Sequence, residues 1–244
     1  MASASLPVYN VKDVRLLWID FKVFYKRGEY SMTREYMDET VLKVMQEAED
    51  QAEAEAVESA LAEEIAAQDI VAGQALINGR TVLFASREFL DGRVKLVMPQ
   101  DWIDMDKEAA RRKYPYETRP PIIQTDGTMN FNLTLNHTNT PLKKQDMKTF
   151  IDTMKMFAAK TIKVQFVEQG QLEKEDTGLV IGWFDFISPG FDEPIYNFVF
   201  CTVLDKKALI MTFNCPNSRQ ERWNSVARAM MNTLEITDSK EEQP

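Results

Sequence analysis

Apolar positions along this chain change period three times, and each change marks an element. From Val14 to Lys26 they alternate, with Leu17, Ile19, Phe21, Val23 and Tyr25 on one side and Asp20, Lys22 and Lys26 on the other. That period of two predicts a half-buried strand. After Gly28 the spacing lengthens to three or four: Met37, Val41, Met45, Ala48 and Ala52, then Val57, Leu61 and Ile65. A long helix, or two in sequence, is expected from about Thr33 to Ala72, with a narrow apolar stripe made largely of alanine.

Beyond Gly73 the pattern becomes short strands punctuated by turns. Asn78-Gly79 separates two apolar stretches, and Asp91-Gly92 joins Arg80–Phe89 to Arg93–Met98. Dipeptides of this kind between alternating strands are strong hairpin signals. Asp126-Gly127 links Ile122–Thr125 to Met129–His137, whose Phe131, Leu133 and Leu135 point inward. Pro141 is placed to open a helix running to about Lys160, with Leu142, Met147, Phe150, Ile151, Met154 and Phe157 on one face. Four strands follow, at Thr161–Glu168, Thr177–Ile187, Ile195–Leu204 and Ala208–Asn214, the last two closed as a hairpin near Asp205 and Lys206. Asn217 or Ser218 is expected to cap a final helix carrying Trp223, Val226, Ala227, Met230 and Leu234, and a frayed polar tail follows Ile236.

This series does not alternate strand and helix, so a parallel doubly wound sheet is disfavoured. The expected class is α+β: an antiparallel twisted sheet with the two later helices packed on one face, the other face partly open, and a long acidic N-terminal helix. The expected organisation is an N-terminal strand and acidic helical extension (1–75), an α+β domain (76–236) and a disordered tail (237–244).

Charge sharpens the picture. The chain has 244 residues and a formal charge of −9. The stretch from Glu35 to Asp69 holds twelve acidic residues against one basic residue, Lys43. Such a stretch reads as a solvated helix packed along the body, or as a docking arm. Nucleic-acid binding needs a basic stripe with interleaved aromatics, and the sequence offers none. No apolar run is long enough to span a bilayer, and the opening MASASLPVYNVKD has neither a basic start nor an apolar core, so a cytoplasmic location is expected. Two cysteines, Cys201 and Cys215, are too few for a disulfide framework and fit a reducing compartment.

The stretch from about Arg93 to Ile236 resembles the Mog/PsbP-like superfamily, and within it the bacterial DcrB-like domains that include the Eag-type chaperones of secreted effectors. The residues that carry the likeness are RVKLVMPQDW (93–102), the helix LKKQDMKTFIDTMKMF (142–157) and the ending ALIMTFNCPNSRQERWNSVARAMMNTLEI (208–236). The acidic extension and the segment RRKYPYETRPPIIQ (111–124) lie outside that pattern. The resemblance implies a non-enzymatic binding module that shelters an apolar segment of a protein partner, with no cofactor.

Catalytic constellations are not evident. His137 is the only histidine, placed at the exit of a strand, and reads as a surface turn residue. Cys215 precedes Pro216 near a helix start, where a thiol pKa can fall, yet a lone cysteine is most often apolar filler; Cys201 falls inside a strand and reads as core. Asp101, Asp104 and Asp106 lack the glycine and closing glutamate of a calcium loop and read as charges at a helix start. Asp185, between Phe184 and Phe186, must be paired if it faces inward; an outward position is expected. Partner contacts are expected from the proline-stiffened segment with Tyr114 and Tyr116, and from the aromatics around Ser188-Pro189-Gly190, above all Trp183, Phe184 and Phe191. The alternative expectation is a structural or assembly subunit that docks through its acidic helix.

Overall fold

The structure is a computed structural model in which residues 39–77, 79–115, 117 and 119–237 are described. The expected strand at Val14–Lys26, Tyr116 and the tail beyond residue 237 lie outside the described residues. The chain divides into two units, at residues 1–57 and 58–244. Of the first, only the start of one helix is described; everything below concerns the second unit unless stated.

The long helix α1 (Glu39–Val71) appears where the three-to-four spacing places it. Its anchored face differs from the expected stripe. Leu61 and Ile65 are exposed, whereas Ala66 and Ile70 are buried in the main core. The end of the helix is held from outside: Gly73, at positive φ, receives the N–H of Phe84 on its carbonyl at 2.8 Å, and Arg222 bonds the Asp69 carboxylate at 3.2 Å. These ties rotate Ala66 and Ile70 inward.

A four-stranded antiparallel sheet in the order β1-β2-β3-β11 comprises β1 (Gln74–Ile77), β2 (Arg80–Phe89), β3 (Val94–Pro99) and β11 (Glu235–Ile236). The Asp91-Gly92 turn joins β2 to β3 as expected, with Leu90, Asp91 and Gly92 all at positive φ. A seven-stranded antiparallel sheet runs in the order β4-β5-β6-β10-β9-β8-β7. Its strands are β4 (Ile103–Asp104), β5 (Ile122–Thr125), β6 (Asn132–Pro141), β7 (Gln165–Glu173), β8 (Val180–Ser188), β9 (Ile195–Leu204) and β10 (Lys207–Pro216). Asp205 and Lys206, both at positive φ, close the β9–β10 hairpin, and Asp205 takes an ion pair from Arg93 across the gap between the two sheets at 2.5 Å.

Three further helices complete the fold: α2 (Lys107–Lys113), α3 (Met147–Thr161) and α4 (Gln220–Asn232). Pro141 ends β6, opposite Lys207 of β10, and does not open α3. Pairing with β10 continues past His137, so the helix waits for a 3-10 turn at Lys144–Asp146. Asn217–Arg219 likewise forms a 3-10 turn ahead of α4, without a side-chain cap.

The α+β class and the antiparallel sheet are as the pattern predicts, but the two helices do not share a face. Val226, Ala227, Met230 and Met231 of α4 pack with Leu133, Leu135, Phe198, Phe200, Met211 and Phe213 and with the small sheet. Met147 and Ile151 of α3 pack on the opposite face, against Val180, Phe184, Phe186, Val199 and Cys201. Alternate residues of β8 and β9 feed the two cores, so these strands are apolar on both sides. Phe157 lies one turn past Met154, the last residue of α3 packed on the sheet, and is 70% exposed instead of buried.

Gly182 lets α3 sit this close: a Cβ there would lie 2.7 Å from Ile151 Cγ1 and 2.8 Å from Met147 Cγ. We expect Gly182→Ala to lower stability by about 1–3 kcal/mol through overpacking. Gly127→Ala, with no atom within 4 Å of the added carbon, is expected to stay within about 0.5 kcal/mol. Urea unfolding midpoints of the two variants check the contrast.

Candidate functional site

One end of the large sheet gathers the turns and loops that face outward. β6 begins there at Asn132, β10 ends there at Pro216, and β8 and β9 meet there through the 189–194 loop. A ladder of amides crosses this end: Asn214 stands opposite Asn132 on one side and Asn197 on the other. Asn132 donates to Asn214 at 3.0 Å and accepts from the Thr125 hydroxyl at 2.9 Å, while Asn197 donates to Ser188 Oγ at 3.0 Å. Asn214 in turn reaches the hydroxyl of Tyr114, just past α2, at 3.4 Å. Burial pushes the Tyr114 phenol pKa up.

The turn between β5 and β6 belongs to the same rim. The Asp126 carboxylate accepts the backbone N–H groups of Asn130 at 2.9 Å and Phe131 at 3.0 Å, and Lys113 donates to the Met129 carbonyl. The turn holds Met129 at positive φ and 43% exposed. The 189–194 loop carries Phe191, whose side chain is fully exposed. Its return limb is pinned by Asn217 N–H donating to the Pro194 carbonyl at 2.8 Å and by Ser218 N–H donating to Glu193 at 3.2 Å.

Of the residues singled out as partner contacts, Tyr114 and Phe191 are thus brought to one end. Tyr116 lies outside the described residues. Phe184 is not on a surface: it is 2% exposed, stacked with Phe186 beneath α3, because its position in β8 faces that helix. Tyr196 is likewise buried. Trp183 faces the other side of β8, half-buried, with the Arg228 guanidinium 3.9 Å over its ring. Met129 escaped the sequence reading; the Asp126-Gly127 turn was its only signal.

Asp185 corrects another expectation. It is 1% exposed and faces the core side, where it is fully engaged. Arg228 of α4 donates to it at 3.2 Å, the Tyr196 hydroxyl at 2.9 Å, and the backbone N–H of Glu168 at 2.7 Å. Arg228 also bonds Glu168 at 2.7 Å. Burial, reinforced by the charge of Asp185, pushes the Tyr196 phenol pKa far up and keeps it a donor.

The remaining chemical candidates are occupied structurally. His137 sits inside β6, not at a turn, with Nε2 3.0 Å from the Leu204 carbonyl, to which it donates. Cys215, the residue before the end of β10, is fully buried, and burial with the nearby Glu193 charge pushes its thiol pKa up to about 12, opposite to the lowering that a helix start would cause. Cys201 is core, and burial raises it to about 12 as well. Asp106 caps α2, accepting from Glu108 N and Ala109 N, and those bonds, Ala109 first, lower its pKa. Among the described residues no group of three or more His, Cys, Asp or Glu could hold a metal ion, and no helix is long and apolar enough to cross a membrane.

No protein-family model matches the sequence. No curated protein matches it. Solved structures do resemble it. The cyanobacterial PsbP (CyanoP) of Synechocystis aligns at 11% identity and TM-score 0.47, over 63% of this chain and 92% of its own. The Ran-binding protein Mog1p of Saccharomyces cerevisiae aligns at 10% identity and TM-score 0.42, over 64% and 97%. A protein of unknown function from Pseudomonas aeruginosa, PA94, aligns at 10% identity and TM-score 0.38, over 64% and 99%. The likeness is one of fold, and nothing about activity or partner is transferred from it.

Removing Asp185 takes the buried counter-ion from Arg228 and leaves it only the more exposed Glu168, and it leaves the Tyr196 hydroxyl without its acceptor. Asp185→Leu is expected to cost about 3–5 kcal/mol, whereas the double replacement Asp185→Leu/Arg228→Met costs much less than the sum of Asp185→Leu and Arg228→Met; a denaturation cycle on these three variants and the wild type checks this. Both thiols are expected to resist alkylation at neutral pH until the protein unfolds. Labelling of native Cys215 at the rate of a free peptide thiol would contradict its placement.

Proposed function

We propose that this chain is a non-enzymatic protein-binding module, an adaptor or chaperone acting in the cytoplasm, and that its partner is a protein segment with apolar side chains, such as that of a secreted bacterial effector. The observation that carries the reading is Phe191, a large apolar side chain left fully exposed on a loop whose return limb is tied down by hydrogen bonds at Glu193 and Pro194. An aromatic held out in this way loses little entropy on docking. Met129 and Tyr114 stand at the same end of the sheet and extend the rim around it. Trp183 serves another edge, and Tyr116 follows Tyr114 by two residues in the chain; Phe184, buried under α3, takes no part in the contact. The groups that nucleophilic chemistry would use, Cys215 and His137, are buried or committed to a backbone carbonyl.

A second reading, an assembly subunit that docks through the acidic helix, is favoured by Leu61 and Ile65, exposed one turn apart on α1. Phe191→Ala distinguishes the two. A photo-crosslinker at position 191 in cells should trap a specific protein. Binding of that purified partner should weaken by roughly thirtyfold in Phe191→Ala, the loss of an aromatic anchor worth about 2 kcal/mol. Its unfolding midpoint should stay unchanged. Unaltered affinity in Phe191→Ala, with loss in Leu61→Asp/Ile65→Asp, moves the interface to α1.

A further inference from the structure

Among the described residues, the seven-stranded sheet ends in an edge strand whose features complement a second copy of itself. β7 is its last strand, nine residues long, with β8 as its partner on one side. Pairing with β8 is interrupted between Phe166 and Gln169, where the Asp185 carboxylate takes the Glu168 N–H, and is regular from Gln169 to Glu173. A bulge blunts the first half of an edge strand, so the second half is the part able to receive another strand.

Three features of Gln169–Glu173 fit an antiparallel copy of the same segment. Centred on Gln171, such a pairing sets Gln169 opposite Glu173, Gly170 opposite Leu172, and Gln171 opposite itself. Gly170 has no side chain because Trp183 occupies its space: a Cβ there would lie 2.5 Å from Trp183 Cζ2. The half-buried indole therefore crosses the edge strand at Gly170 and offers an apolar seat beside it, an arrangement in which an aromatic fills in for an edge glycine. Leu172 of a second copy falls opposite that seat. On the other face, Lys155 of α3 reaches over Phe166, 4.8 Å from the ring centroid, and donates to the Gln169 side chain. Glu173 of a second copy would stand opposite Gln169, beside that ammonium group. The two-fold axis makes each contact twice, so apolar and charged features both complement themselves.

We propose that two copies of this chain associate through β7, antiparallel about Gln171, with Leu172 on Trp183 and Glu173 beside Lys155 across the interface. This surface is separate from the rim that carries Phe191, so each can fail without the other. The 244-residue chain should sediment with a concentration-dependent mass approaching twice 28.1 kDa. Glu173→Lys should weaken dimerisation at least about tenfold by placing like charges together twice, and Lys155→Glu/Glu173→Lys should restore it. Gln171→Cys should form an intermolecular disulfide under mild oxidation, because residues directly opposite stand about 4.5–5.5 Å apart at Cβ, while Gln165→Cys should not. A monomeric wild type at every concentration overturns the proposal. So does a dimer that neither responds to Glu173→Lys nor links through position 171.

Discussion

A carboxylate buried in the middle of a β-sheet must be compensated completely, and Asp185 meets that demand by recruiting three separate parts of the chain. Arg228 comes from α4, Tyr196 from β9 and the Glu168 N–H from β7. An ion pair of this kind adds little net stability, since desolvation offsets most of the attraction, but it strongly penalises any arrangement that separates the partners. Its effect here is registration. With Arg228 held at Asp185 and stacked on Trp183, the rotation of α4 is fixed, and Val226, Ala227, Met230 and Met231 fall onto the main core. The same carboxylate fixes the bulge in β7 and so decides which half of that edge stays regular.

The opposite face obeys a different constraint, close approach. Gly182 leaves room for Met147 and Ile151 of α3, and the thiol of Cys201 sits 3.4 Å from the sulfur of Met147. Polar compensation positions one helix and steric fit the other. The two requirements meet in β8, whose successive residues serve opposite cores from Val180 through Phe186.

Much of this was legible in the residues. Period-two alternation found β6, three-to-four spacing found α1, α3 and α4, and Asp91-Gly92 marked its hairpin, because each of these signals is local. Where both faces are covered the signal vanishes: β8 reads Val-Ile-Gly-Trp-Phe-Asp-Phe-Ile, and nothing in that run says that Phe184 is enclosed while Trp183 reaches an edge. Asp185 was unreadable for a related reason, since its main partner lies 43 residues away and the pairing depends on which side α4 takes. Pro141 misled because a proline marks a strand's end as well as a helix's start. Of the candidate site, Phe191 and Tyr114 could be named from loop chemistry. That they share one end of the sheet follows only from the register linking Asn132, Asn214 and Asn197.

The covering of both faces also determines where binding can occur. A sheet open on one side can receive a partner across its strands, but here α3 and α4 already occupy the centre of the two surfaces. What stays available is the ends of strands and the outermost strands themselves. Of the outermost strands in the large sheet, β4 spans two residues and β7 nine, so only β7 offers a ladder long enough for another strand to follow. The strand ends at Ser188 and Asn132 offer no ladder, and recognition there must come from side chains held outward by tied loops. The fold therefore separates two kinds of contact: backbone pairing along one edge, and side-chain anchoring at the rim.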